Sequence, residues 1–375
     1  MHGRSGRKTA VTLASAALIA ALALALGSCG SIVGTGPGGR TYFMGFTPYP
    51  HANATSAVLD AWDVIATDGD LAAIHEDGGV PWQEALDGTP YDASYDYWLN
   101  FQADNIPAGH AVYLAVTPIS TTRDGLAGYR NAGNDQPLPP PWNTYAFDEP
   151  DVIEAFTNHC LTMIDIFDPD FFAYAIEANM LANLSPELWD GFLTLAESVY
   201  DAVKAEHPFL PVFVTIQADF YYGDQASQIV PVSNLLFYSD AVAVSGYPYG
   251  RLVGNVDALE PGYFTDLADI APGKLFGIAE TCWPAEPIDL PYPVYIPATE
   301  ATQQAYVERI LAECDALSAS FVCWFLTRDI DDFWESDFQY YPNASTIRYW
   351  RDCGLYNGDG FSRIALDSWR AVLTD

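Results

Sequence analysis

Residues 241–249 (AVAVSGYPY) and 275–284 (LFGIAETCWP) decide how this chain is read. Each is a short apolar run that stops on polar and aromatic residues: Ser245, Gly246 and Tyr247 in the first, Glu280, Thr281 and Trp283 in the second. Unbroken runs of this length fit strands buried on both faces, as parallel sheets require. Six more occur, at 42–47, 71–75, 111–116, 171–176, 212–216 and 320–325. Helical patterns lie between them. Thr55 or Ser56 leads the segment 57–66, and Asp148-Glu149-Pro150 opens one that runs to about 167. Ser185-Pro186-Glu187 opens another to about 206, Thr299 leads 300–317, and 365–373 closes the chain. Pro at a first helical position loses no hydrogen bond, because that N–H has no partner inside the helix. Eight strands alternating with helices over residues 40–375 imply a single-domain parallel (β/α)8 TIM barrel, for which the length is ordinary.

The start of the chain reads differently. Arg4, Arg7 and Lys8 precede an apolar run, 16–26, and then Leu26-Gly27-Ser28-Cys29. A basic start, a short apolar centre and small residues before a cut describe an export signal. Eleven apolar residues are too few for a membrane span of about 20. Leu-Gly-Ser-Cys also resembles the bacterial lipoprotein cleavage box. That resemblance implies removal of residues 1–28, a lipid on Cys29, and anchoring to the cell envelope, periplasmic or at the cell surface. The plainer reading is an ordinary export signal with an incidental cysteine. Residues 29–39 are Gly-rich and uncharged, as a flexible tether should be.

Composition narrows the partners. Lys and Arg total 15 against 49 Asp and Glu, a net charge of −34. Such a surface repels nucleic acid and anionic lipid headgroups. A monomer is expected, with no organic cofactor and no metal. Beyond Cys29 the cysteines are Cys160, Cys282, Cys314, Cys323 and Cys353, an odd set that leaves at least one thiol free or paired between chains. No spacing among them suits zinc. Three Asn-x-Ser/Thr triplets, at Asn53, Asn183 and Asn343, are idle if the signal is bacterial.

In a barrel of this kind the site gathers at the C-terminal ends of the strands. Those ends supply Tyr49, Asp77, Glu177, Asn179, Tyr247, Glu280, Trp283 and Trp324. Aromatic faces suit the C–H faces of sugars, and groups such as Asn179 and Asp77 suit their hydroxyls. Tyr49, Tyr247, Trp283 and Trp324 are therefore candidate sugar platforms. Two carboxylates across a barrel mouth suit glycosidic cleavage. One, protonated, donates to the leaving oxygen; the other, ionised, attacks the anomeric carbon or activates water. A retaining pair sits roughly 5–5.5 Å apart. Each residue also has a bland reading. A glutamate after a strand is often a capping residue, and a tryptophan inside an apolar strand is as often core. Asp329, Asp331 and Asp332 read as a solvated acidic loop before a calcium site. His75 and His110 read as locally satisfied histidines.

Val244-Ser245-Gly246-Tyr247-Pro248-Tyr249 resembles the sixth-strand end of family 53 endo-β-1,4-galactanases, within clan A of the glycoside hydrolases. Ala279-Glu280-Thr281-Cys282-Trp283-Pro284 resembles their nucleophile segment, and Gly354–Trp369 resembles the close of such barrels. The likeness implies a carbohydrate substrate and makes Glu280 the nucleophile of a retaining enzyme. The fourth strand departs from the pattern. The clan's acid/base glutamate directly follows an asparagine; aligning on Asn179 puts Met180 there, with Glu177 two residues before it. The clan's strand-two arginine is missing too, since no arginine lies between Arg40 and Arg123. Three readings stay open: Glu177 is the acid from a shifted site, another carboxylate such as Asp77, Asp219 or Asp329 serves, or the barrel binds sugar without cutting it.

Overall fold

The computed structural model describes Gly36 and residues 39–290, 294–341 and 343–374. The expected export signal, Cys29 and all of the expected tether except Gly36 and Gly39 lie outside the described residues. The eight expected strands form: β1 (Phe43–Phe46), β2 (Leu71–Glu76), β3 (Ala111–Val116), β4 (Phe171–Ala175), β5 (Val212–Gln217), β6 (Ala241–Gly246), β7 (Leu275–Thr281) and β8 (Phe321–Trp324). They close into one parallel barrel in sequence order, with β1 pairing both β2 and β8. The fold is a (β/α)8 barrel.

The strand sequences explain the closure. Every residue of β3 and β6 is buried, because helices cover the outside and side chains fill the inside. The interior filling is aromatic. Phe321 on β8 meets Tyr113 on β3 at 4.9 Å between ring centroids, Phe171 on β4 at 4.8 Å and Phe213 on β5 at 5.9 Å. These contacts join strands that are not neighbours, so the rings meet inside the barrel. Gly277 on β7 makes room for this cluster, since a Cβ there would come within 2.5 Å of the Phe321 ring. Gly45 serves the β1–β2 approach in the same way, since a Cβ there would lie 1.9 Å from the Leu71 carbonyl oxygen.

The longer helices are α1 (Thr55–Asp68), α2 (Ala93–Asn105), α3 (Pro150–Phe167), α4 (Trp189–Glu206), α5 (Gln225–Leu235), α6 (Glu300–Leu317) and α7 (Ile364–Thr374). α3 begins at Pro150 and buries Val152, Ala155, Phe156, Cys160, Met163 and Phe167, a spacing of three and four that lays one stripe on the sheet. α6 starts at Thr299 with a reciprocal capping box: the Thr302 N–H donates to Thr299 Oγ1 at 3.2 Å and the Thr299 N–H to Thr302 Oγ1 at 2.9 Å. The seam is locked by the C-terminal helix. Trp369 is fully buried and donates its indole N–H to the Asp68 carbonyl, and Arg370 pairs with the Asp68 carboxylate. Truncating a buried tryptophan of this kind costs roughly 3–5 kcal/mol.

Two helix starts differ from expectation. α1 begins at Thr55 with no side-chain cap. Ser185 does not cap α4; its hydroxyl donates to the Asp124 carbonyl, and a single 3-10 turn (Pro186–Leu188) precedes the helix.

Candidate active site

The strand ends open into a cleft of about 650 Å³. Five of the sequence-derived candidates line it: Tyr49, Asp77, Glu177, Tyr247 and Glu280.

Glu280 is the penultimate residue of β7 and is only 7 % exposed. Tyr247, just past β6, donates its hydroxyl to Glu280 Oε2 at 2.7 Å. His75 Nδ1 lies 3.5 Å from Oε1. Tyr247 is itself fixed from behind, because its backbone N–H donates to Asp219 Oδ2 at 2.7 Å. Burial pushes the Glu280 carboxyl up; the Tyr247 hydroxyl and the Arg123 charge pull it down, and Asp77 adds a smaller upward push. Burial holds the Tyr247 phenol far above its ordinary pKa, so it stays a donor. His75 is lowered to about 4, mainly by burial, and is neutral near pH 7.

Glu177 stands two residues beyond the end of β4 in the left-handed backbone region, at φ +51°. That conformation is costly for a residue with a side chain and clusters at functional sites. The Glu177 N–H is satisfied by Thr215 Oγ1 of β5 at 2.8 Å. Its carboxylate accepts from Arg123 Nε at 3.2 Å. Burial raises the Glu177 carboxyl, Arg123 opposes it, and the like charge of Glu280 raises it further. The two glutamates therefore sense each other across one cleft.

Arg123 is the site residue that sequence reading missed. It rises from the loop after β3, itself at φ +60°, and its guanidinium acts on Glu177, Asp77 and Glu280 together. The loop is braced by Asp124 Oδ1, which accepts from Ser120 Oγ and Thr122 Oγ1. A cation reaches the carboxylates from β3 rather than β2. The only sequence hint was that Arg123 ends a long arginine-free stretch. Phe325, Phe333 and Trp350 also line the cleft, and Trp350 meets Tyr247 edge-on at 5.7 Å.

Three candidates do not reach the cleft. Asn179 is fully buried and ties the β4 and β5 ends together: it accepts from the Gln217 N–H at 2.8 Å and donates to Gln228 Oε1 at 2.6 Å. It anchors the strand end and lies outside the cleft lining. Trp324 is fully buried, donates to the Cys353 carbonyl and packs near Tyr306 of α6 and Trp369 of α7. Strand alternation turns Trp324 toward the helices and sends Phe325 into the cleft. Trp283 is fully buried against Tyr306 at 4.8 Å. Met180, the residue after Asn179, does not line the cleft either, whereas Glu177 does.

The alternative carboxylates separate as well. Asp77 lines the cleft, and Asp219 supports Tyr247 from outside it. Asp329 is 1 % exposed, accepts from the Gly354 N–H and pairs with Arg363, so it is not part of a solvated loop. Asp329, Asp331 and Asp352 converge closely enough to hold a cation. Arg363, Arg348 and Arg351 already neutralise them. The cysteines beyond Cys29 are free thiols, all buried. His110 meets the Ile65 carbonyl, a local contact.

No protein-family model matches the chain, and comparison with curated proteins finds no relative. Solved structures do resemble it. An exo-β-1,4-mannosidase from Opitutaceae bacterium strain TAV5 superposes with a TM-score of 0.64 at 16 % identity, over 92 % of this chain and 61 % of that one. This chain thus spans less than two thirds of the mannosidase. A GH53 catalytic domain from Ignisphaera aggregans gives 0.53 at 17 % identity, over 91 % and 99 %. A GH5_18 protein from Streptomyces cattleya, in complex with GlcNAc, gives 0.59 at 14 % identity, over 89 % and 79 %. By structure, the chain shares the (β/α)8 barrel fold of these clan A glycoside hydrolases.

Proposed function

We propose that this protein is a glycoside hydrolase that cleaves a poly- or oligosaccharide by a retaining, two-carboxylate mechanism. The observation that carries the reading is the pair Glu177 and Glu280. They come from the ends of β4 and β7 and line one cleft with an aromatic rim, where the like charge of Glu280 raises the Glu177 carboxyl. Glu280, ionised and oriented by the Tyr247 hydroxyl, attacks the anomeric carbon. Glu177 protonates the departing glycosidic oxygen. The C1–O bond breaks as the Glu280–C1 bond forms. Glu177, now a carboxylate, then takes a proton from water as that water displaces Glu280. Forming the glycosyl ester removes the Glu280 charge, which lowers the Glu177 pKa at the moment it must act as a base.

The experiment is Glu280→Gln. Hydrolysis of the substrate should fall on the order of 10³-fold or more, while glycan binding persists. Unchanged turnover refutes the assignment.

A second reading, a carbohydrate-binding barrel that does not cut, is favoured by the Arg123–Glu177 contact, because a guanidinium opposes protonation of the group that must donate the proton. It predicts glycan binding with no reducing ends released at any pH.

The same proposal places the barrel at the cell envelope by a lipid on Cys29. The leader sequence supports this, and Cys29→Ser should release the protein from the membrane fraction with the barrel's activity unchanged. Retention of that variant in the membrane fraction would refute the anchor.

A further inference from the structure

A second groove, of about 450 Å³, continues the cleft outward. The two share Pro50, Trp98 and Phe333 on their walls, so one surface runs from the carboxylates into the groove. Its far side is built by α2. Tyr97, Trp98 and Phe101 stand at neighbouring positions of that helix, and their rings run nearly parallel. Trp98 and Phe101 lie 5.8 Å apart at 18°, and Tyr97 and Phe101 6.4 Å apart at 28°. Tyr97 is 70 % exposed.

Core packing accounts for part of this arrangement: Trp98 and Phe101 are half-buried against the core, while Tyr97 stands clear of it. The residues α2 buries are Tyr95, Leu99 and Gln102; Trp98 borders that face and Tyr97 lies opposite it. Trp98 is held in place from within, since its indole N–H donates to Glu76 Oε1 at 3.0 Å. That bond fixes the plane of the ring at the junction of cleft and groove. Three rings with nearly parallel planes, one exposed and two half-buried, present apolar surface continuous with a polar cleft. Such a surface fits a ligand that is itself a linear series of flat units with apolar faces and polar edges.

We infer that the Tyr97–Trp98–Phe101 face of α2 is a distal glycan-binding platform. It would hold sugar units of a linear polysaccharide beyond those that occupy the carboxylate cleft. The inference rests on the proposed carbohydrate reading of the cleft and adds the substrate class: a long chain rather than a mono- or disaccharide. Ring stacking alone supplies the contact at Tyr97 and Phe101, so the platform tolerates different sugars and selects for length.

The test uses the full chain and the double variant Tyr97→Ala/Phe101→Ala, which spares Trp98 and every cleft residue. Retention in gels containing soluble β-1,4-mannan, β-1,4-galactan or β-1,4-xylan is compared with inhibition by the corresponding dimers. For the polymer that retains the unmodified protein, the double variant should bind about tenfold or more weakly for the apolar area lost. Its dimer affinity should stay unchanged, and its melting should stay cooperative at a lower temperature, because half-buried Phe101 loses its packing. Glu280→Gln should be retained like the unmodified chain, which separates platform from chemistry. Equal retention of the double variant overturns the platform even if the protein hydrolyses sugars. Failure of all three polymers to retain the unmodified chain overturns it too. Retention lost in the double variant, with no hydrolysis by the unmodified chain, keeps the platform and refutes only the enzyme.

Discussion

Replacing Arg123 by methionine removes a buried charge while keeping an unbranched side chain of similar reach. Its Nε lies 3.2 Å from Glu177 Oε2, and both side chains are largely buried. At an effective dielectric of about 20, that contact has a ceiling of roughly 4–5 kcal/mol. A neighbouring arginine lowers a carboxyl's pKa by roughly 1–3 units. Without it, burial and the Glu280 charge act on Glu177 unopposed, and its pKa rises by that amount. Glu280 rises less, because its direct donor is Tyr247.

If Glu177 is the proton donor, the alkaline limb of kcat/KM should move up by roughly 1–3 pH units, with a smaller upward movement of the acidic limb. The assay is hydrolysis of a short aryl glycoside across about pH 4 to 10, where the limbs report free-enzyme ionisations. An alkaline limb that stays in place or moves down refutes Glu177 as the acid. Stability gives an independent reading. The folded Glu177 pKa in the variant lies well above the unfolded value of about 4.3. The penalty, about 3–5 kcal/mol for an uncompensated buried charge, is therefore full at high pH. It shrinks as pH falls through the folded pKa and is gone below the unfolded one. Urea melts at several pH values measure it, and a pH-independent penalty would mean that Glu177 does not titrate.

Tyr247→Phe removes the hydroxyl that donates to Glu280. Loss of a hydrogen bond to a charged group costs about 1.5–3 kcal/mol, so kcat/KM should fall roughly 10- to 100-fold, with the acidic limb moved upward because Glu280 becomes harder to ionise. Asn179→Ala should cost about 1–3 kcal/mol of stability, read from the urea midpoint, by leaving the Gln217 N–H and Gln228 Oε1 unpaired. Its KM at a permissive temperature should be unchanged, and a selective rise in KM would return Asn179 to the substrate.

The barrel was legible because its signal is local and repeated. Each of the eight apolar runs is a strand within a residue or two of its expected limits, and Thr299 and Pro150 mark true helix starts. The first part of the site was legible for the same reason: Glu280 and Tyr247 sit at strand ends whose direction the fold dictates. What lay beyond depended on tertiary paths. Arg123 reaches the carboxylates only because its loop folds back over the mouth. Asn179 lies only two residues past Glu177 but turns away to bind Gln217 and Gln228. Trp324 and Phe325 are adjacent, and strand alternation alone sends one to the helices and the other to the cleft. The helix α2 gave no clear apolar period because it carries rings on an open side as well as on its buried one.

The column of rings under the cleft makes the barrel a vessel with a sealed floor. Phe171, Phe213, Phe321 and Tyr113 fill the lower barrel, with His75 edge-on above Tyr113. Among the described residues no protein group pairs with the Tyr113 hydroxyl or His75 Nε2. Under the proposed retaining cycle, water for the second half would enter by the same mouth through which the departing sugar leaves. A polymer lying across that mouth would make turnover wait on how fast the released strand clears it.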